Sequence, residues 1–379
     1  MEAGGNEPPG GKQGVESLLG CGTKLPGADF RGRVFVALNL EGADLCGASF
    51  SEANLSEVRL CGCNMTGANL RGARLAAVDF SGADLTGANF ASASLTGALF
   101  GPAILHGASF EGAAISESDL GKADFRSASF RNASLQACDA AEANFAGADF
   151  SGANLAGTSL GKANLARARL IGADLTGANL SEVNLAEADL TKATLTSADL
   201  SRATAPGAVF RGAVLQATNA RLADLSECDF TGAKAPGANF ERAALTKARI
   251  DKCFAHGAFF DFADLRDARI NGAVFTKAVL VGAALSGAWA EACDFRGADF
   301  YWTELATFSM TRCETAGARF AEETGIVYGP KGVRAPPVTP VPLYRSAATA
   351  EEREQLLEAP AEPKPRPAAG KKSRLSDNE

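Results

Sequence analysis

The side chains able to ligate a metal, attack a carbonyl or move a proton are nine cysteines, two histidines and 44 acidic residues. A nucleophilic thiol or hydroxyl needs a base within hydrogen-bond reach, and the usual base is histidine. His106 and His256 are 150 residues apart, and neither has a Ser, Cys and Asp arrangement around it that spells a triad. Cys61 and Cys63 form a C-x-C, but no second pair follows at the spacing a structural zinc site uses. No phosphate-cradling glycine loop and no nucleophile elbow occurs. Most of the Asp residues stand immediately before a large apolar residue, again and again, which is the mark of a structural repeat. The expectation is a protein without catalytic residues, metal or cofactor.

The recurrence of those Asp residues leads to the elements that hold them. From Ile171 to Leu200 the chain divides into IGADL, TGANL, SEVNL, AEADL, TKATL and TSADL. A period of five is neither the 3.6 of an amphipathic helix nor the 2 of a half-buried strand. Large apolar residues, here called anchors, fall on positions divisible by five from Leu25 to Phe320 without an insertion. Ala replaces the anchor at Ala140, Ala205, Ala220, Ala235, Ala255 and Ala290. Two residues before each anchor the chain carries mostly Ala, and between them a Asp, Asn, Ser, Thr or Arg. Small–polar–large over three residues is in, out, in: a very short strand with one buried face. The next two residues, polar and often Gly at the second, make a corner.

Strand and corner repeated wind the chain into a coil, with inward residues stacked on those of the next turn. On this frame Cys63, Cys138, Cys228, Cys253, Cys293 and Cys313 take the small inward position and stand in for Ala, as buried cysteines commonly do. Cys46 and Cys61 point outward, so the C-x-C has one thiol on each side of the wall. Cys293 and Cys313, twenty residues apart, stack directly and are near enough for a disulfide, but a reducing cytosol favours two neighbouring thiols.

The A(D/N)LxG pentads resemble the pentapeptide repeat family over Leu25 to Phe320. That resemblance implies an all-β fold, a right-handed quadrilateral β-helix (a β-solenoid) of four pentads per coil and about 15 coils. At ~4.8 Å per coil the rod is about 70 Å long. With twenty residues per coil, the column of Phe30, Phe50, Leu70, Phe90, Phe110, Phe130 and Phe150 is aromatic-rich, which suits stacked rings.

Outside the array, residues 1–24 form a flexible segment whose Val15 to Leu19 stretch suits a cap for the first coil. Residues 321–358 read as a C-terminal cap, including Ile326, Val327 and Tyr328, with a short helix over Ala348–Glu358. Residues 359–379 read as a disordered tail. Leu18-Leu19-Gly20-Cys21 mimics a lipoprotein cleavage box but has no apolar stretch before it, and no run of about 18 apolar residues exists. A cytoplasmic location without membrane contact is expected.

Function is then expected from binding. Some members of the resembled family mimic duplex DNA and protect DNA gyrase, which requires a strongly negative face. Between Pro26 and Phe320 there are 32 acidic and 26 basic residues, interspersed. A protein-interaction scaffold is therefore the first reading and the gyrase- or topoisomerase-directed DNA mimic the alternative, with no direct nucleic-acid binding. A surface is legible too. Phe259, Phe262, Val281, Tyr301 and Trp302 occupy outward positions that map to one corner over three coils. Exposed together they make an apolar patch of the kind that binds a partner or a second copy through the C-terminal end. The segment bearing Val338, Val341, Leu343 and Tyr344 is the alternative cover.

Overall fold

The computed structural model describes residues 19–35, 37–320 and 333–334. The described residues all fall within one compact unit. Among the described residues no helix occurs. The chain is a right-handed quadrilateral β-helix in which each parallel bridge joins residues twenty apart, from Lys24↔Asp44 to Asp294↔Glu314. Four pentads thus close one coil, and residues 21–320 make fifteen coils.

Each pentad accounts for its own backbone. In the pentad ending at Leu45, the Asp44 N–H donates to Thr23 of the preceding coil at 2.8 Å and the Leu45 N–H to Asn64 of the next at 2.8 Å. The Gly47 N–H donates forward to Thr66, and the Ala48 N–H closes a β-turn on the Leu45 carbonyl. One donor is left, the N–H of the residue just after the anchor. It is taken by the side chain two residues earlier: Ser56 N–H to Asn54 Oδ1 at 3.0 Å, Thr86 to Asp84 at 3.0 Å, Ala156 to Asn154 at 3.0 Å. This is the physical reason for Asp or Asn before the anchor. Its carboxylate or amide oxygen caps a corner N–H that no neighbouring coil can reach.

The exceptions obey the same accounting. Where Pro follows the anchor, at Pro206 and Pro236, there is no N–H to cap, and the capping position holds Thr204 and Lys234 instead of Asp or Asn. Pro is at home there, since the first central residue of a turn wants φ near −65°. The next residue has positive φ whether or not it is Gly, Pro102 excepted: Gly177 has φ 64°, Glu187 57° and Lys192 59°. Positive φ at the third residue of a hydrogen-bonded turn is the type II requirement. Gly at this position lowers strain, and non-Gly residues adopt the conformation too; among the described residues only Pro102, whose ring forbids it, escapes.

The core is the dry column expected from the sequence. Anchors and the small residues two before them are buried along nearly the whole array, including the replacements Ala140, Ala205, Ala220, Ala235, Ala255 and Ala290. Phe90, Phe110 and Phe130 stack with centroids 4.6 and 4.9 Å apart and planes within 4°. Hydroxyl-bearing substitutes for the small inward Ala find a partner in the coil below. Ser118, Thr158 and Thr218 donate to the carbonyls of Leu95, Leu135 and Leu195 at 2.5, 2.7 and 2.7 Å.

The frame loosens in the last coil. Thr315 stands in an anchor position, so the apolar series is not continuous to Phe320, and Thr315, Cys313 and Phe320 are only half-buried. Among the described residues no further parallel coil covers them. Over the last three coils the bridges lengthen into strands β1 (Arg269–Asn271), β2 (Trp289–Glu291), β3 (Asp299–Phe300), β4 (Ser309–Thr311) and β5 (Arg319–Phe320). Strand β6 (Val333–Arg334) pairs antiparallel with β4, Ser309 opposite Arg334 and Met310 opposite Val333, closing one side of the terminal edge. At the other end Leu19 is buried against the first coil. The rest of the expected cap segments, the helix over Ala348–Glu358 and the tail from residue 359 lie outside the described residues.

Candidate functional site

The residues with latent chemistry are kept apart by the winding. His106 and His256 are both exposed, and an offset of seven and a half coils puts them on opposite corners. His256 Nδ1 lies 2.7 Å from Thr276 Oγ1 on the next coil. Among the described residues no group of His, Cys, Asp and Glu has the arrangement of a metal site.

The cysteines follow the inward frame in five of six cases. Cys63, Cys138, Cys228, Cys253 and Cys293 are buried, and Cys313, at the uncovered end, is half-buried. Burial pushes the Cys63 and Cys138 thiols up to about 11 and Cys253 up to about 12. Several of these thiols point at a carbonyl of the previous coil, as Cys63 does at Leu40 at 2.9 Å. Cys61 points outward to Asp79 Oδ2 at 2.9 Å, so the C-x-C does not chelate. The buried thiols are packing groups, protonated and out of reach.

The outward Asp side chains are capping groups. The carboxyls of Asp124 and Asp294 are held below the ordinary range chiefly by hydrogen bonds from Arg126 and Arg296, two residues on, and by the N–H groups of those same residues. A carboxylate that accepts donors in this way favours its charged form, so the shift reflects structure and not acid–base catalysis.

What remains is surface. Outward side chains lie in columns, one residue per coil. The left-handed corner column carries Lys122, Glu142, Lys162, Glu182 and Arg202 in alternating sign, with Lys162 and Glu182 paired at 3.9 Å. Three coils from the C-terminal end this column changes character to Phe262, Gly282 and Trp302. Phe262 and Trp302 have φ of 56° and 58°, a conformation bulky L-residues adopt at a cost of about 1–2 kcal/mol each. Burial does not offset that cost, because Phe262 is 52% and Trp302 66% exposed. The Phe262 ring lies flat over the next coil, where a Cβ on Gly282 would meet it at 2.6 Å. The adjoining column supplies Val281 and Tyr301, both half-buried. Tyr301 stacks on Trp302 with centroids 4.9 Å apart. Phe259, 45% exposed, stands on the same corner before its anchor.

The structure thus brings Phe259, Phe262, Val281, Tyr301 and Trp302 to one corner over three coils. It places Phe254 and Trp289, the other outward aromatics nearby, on different sides of the rod. Two cations overlie the corner rings: Arg242 sits 5.7 Å from the Phe262 centroid and Arg319 4.7 Å from that of Tyr301. The capping segment proposed from sequence as an alternative cover, Val338 to Tyr344, lies outside the described residues.

Four five-residue sides per coil, an Asx-capped corner and a dry column of Leu and Phe define a pentad-built right-handed β-helix. The chain belongs to the pentapeptide repeat family: eight copies of the repeat model match, over segments running from residue 21 to 297. Several solved structures match part of this chain. HetL, a pentapeptide repeat protein involved in heterocyst differentiation regulation from the cyanobacterium Nostoc sp. strain PCC 7120, is 28% identical. That match covers 56% of this chain and 89% of HetL, with a TM-score of 0.26. QnrB1, a plasmid-mediated fluoroquinolone resistance protein, is 24% identical over 47% of this chain and 82% of its own, TM-score 0.28. A pentapeptide repeat protein from the thylakoid lumen of Arabidopsis thaliana is 31% identical over 31% of this chain and 76% of its own, TM-score 0.23. The comparison with curated proteins gave no match. Among the described residues, no helix is long and apolar enough to cross a membrane.

Proposed function

We propose that this protein is a non-catalytic interaction scaffold, a rigid rod that presents the corner of Phe259, Phe262, Val281, Tyr301 and Trp302 to a protein partner. The observation that carries the reading is the placing of Phe262 and Trp302. Two large aromatic side chains occupy strained left-handed corner positions and remain more than half exposed. Neither local conformation nor core packing gains from them there. Backbone strain retained without a structural return marks function more often than it marks folding, and Trp and Tyr are enriched where binding energy concentrates.

The alternative of DNA mimicry needs a long acidic stripe. The corner column from Lys122 to Arg202 instead alternates in sign, and cross-coil pairs such as Arg167–Glu187 at 3.0 Å and Arg211–Asp229 at 2.6 Å neutralise acid with base along the rod. This charge pattern supports the scaffold. The test is comparative affinity capture with the full-length protein, wild type against a Phe262→Ser/Trp302→Ser double variant of equal melting temperature. Loss of a defined subset of captured proteins is the expected result. An unchanged set, or one made up of topoisomerase subunits captured equally by both proteins, would overturn the reading.

A further inference from the structure

The chemistry of the partner is written in the charges beneath the aromatic corner. Three carboxylates, Glu241, Asp261 and Asp299, are near enough for Glu241 and Asp299 each to act on Asp261. Glu241 is compensated twice, by Arg221 at 3.3 Å and Arg242 at 3.8 Å. Asp299 is compensated by Arg319 at 3.4 Å. Asp261 has no ion-pair partner among the described residues. It is half-buried between Glu241 and Val281 in its column and next in sequence to Phe262. Burial, together with the carboxylates of Glu241 and Asp299, pushes its carboxyl above the ordinary range. The folded chain therefore holds one under-compensated acid in the middle of an apolar patch. The corner's own guanidiniums are committed, Arg242 to Glu241 and the Phe262 ring, Arg319 to Asp299 and the Tyr301 ring.

Resting on the docking reading above, we infer that the partner presents an arginine or lysine side chain to Asp261 and lays flanking apolar side chains along Phe262 and Trp302. Charge complementarity selects this occupant. A cation gains the carboxylate that lacks a counter-charge and an aromatic surface suited to cations. An acidic segment would meet the one carboxylate here that lacks a counter-charge and desolvate Asp261 further. The widely exposed Trp302 gives the cation's neighbour an apolar wall, and its contact with Tyr301 keeps that wall fixed at little entropic cost.

The experiment uses the full-length protein and four fluorescent twelve-residue peptides that share one apolar framework and differ at a central position, Arg, Lys, Gln or Glu. Binding is read by anisotropy for wild type, Asp261→Asn and Trp302→Ser, and sedimentation of the unliganded protein is run at the same concentrations. The Arg and Lys peptides should bind wild type about tenfold or more tighter than the Gln peptide, the factor expected of one charge-assisted contact. Asp261→Asn should erase that preference while sparing the Gln peptide, and Trp302→Ser should weaken all four. Equal binding of the Arg and Gln peptides, with both weakened by Trp302→Ser, would overturn the cation inference and leave the docking corner standing. Failure of all four peptides, or a self-associated species that Trp302→Ser dissolves, would overturn both.

Discussion

Replacing Phe110 with Ala tests the stacked core directly. Its ring is fully buried between Phe90 and Phe130 at 4.6 and 4.9 Å, with Phe100 and Phe125 meeting it edge-on at 6.0 and 5.9 Å. Truncating a buried Phe costs about 3–5 kcal/mol from lost transfer energy and the cavity left behind. Each of the four ring contacts adds a part of the ~0.5–1.5 kcal/mol an aromatic pair supplies, so the top of that range, about 5 kcal/mol, is expected. Stability in a solenoid is carried by neighbour contacts, and a defect in mid-array separates two blocks of coils instead of lowering one global value. Urea unfolding followed by hydrogen exchange reads both effects. Amides of the coils around residues 90–130 should lose protection first, and the transition should broaden. Glu111→Lys, one residue on and exposed, should change neither. If Phe110→Ala and Glu111→Lys shifted unfolding equally, the inward and outward assignment would be refuted.

Three further outcomes follow from the same wall. A bulky thiol reagent should label Cys21, Cys46 and Cys61 in the native protein well before Cys138 or Cys228, read by mass spectrometry of timed digests; equal rates would contradict the frame. Asn164→Ala removes the cap on the Ala166 N–H and both rungs of the Asn144–Asn164–Asn184 amide ladder at 3.1 Å. Its cost in urea should be about 1–2 kcal/mol, whereas Gly177→Val, at φ 64°, should cost about as much through backbone strain alone. Capping carboxylates such as Asp124, Asp149, Asp229 and Asp294 have folded pKa values below the ordinary 3.8. Their contribution is present above the unfolded value and lost as pH falls through the folded ones. Melting temperature should therefore hold down to about pH 4 and drop below it, and a profile that rises on acidification would contradict the capping role.

The register of the fold was legible because one residue in five is large and one in five is small over fifteen coils. A slip would turn Leu180 or Phe150 out to water, so pattern alone fixes inside and outside. The aromatic corner was legible for the same reason: once twenty residues make a coil, Phe262 and Trp302 must share a column. The number of pentads per coil was not contained in the period of five and came from resemblance. Two further features needed the structure. The role of the Asp or Asn before each anchor is a hydrogen bond to a residue two further on, invisible in a hydropathy pattern, although its absence before Pro206 and Pro236 was a signal. Positive φ at Phe262 and Trp302 was masked by Gly at so many equivalent positions, which read as freedom where the fold imposes a conformation. Thr315 and Cys313 depart from the frame at the last coil among the described residues, where they are only half-buried.

Photo-crosslinking tests the central claim most directly. A benzophenone amino acid is placed at position 302 of the full-length protein or, as a control, at the exposed position 111 on another part of the rod, and each protein is irradiated in extract from its source cells. The scaffold account predicts a discrete crosslinked species from position 302, suppressed by Asp261→Asn and Phe262→Ser in the same chain, and none from position 111. Equal crosslinking from both positions, or none from 302 in a protein that melts normally, would contradict it.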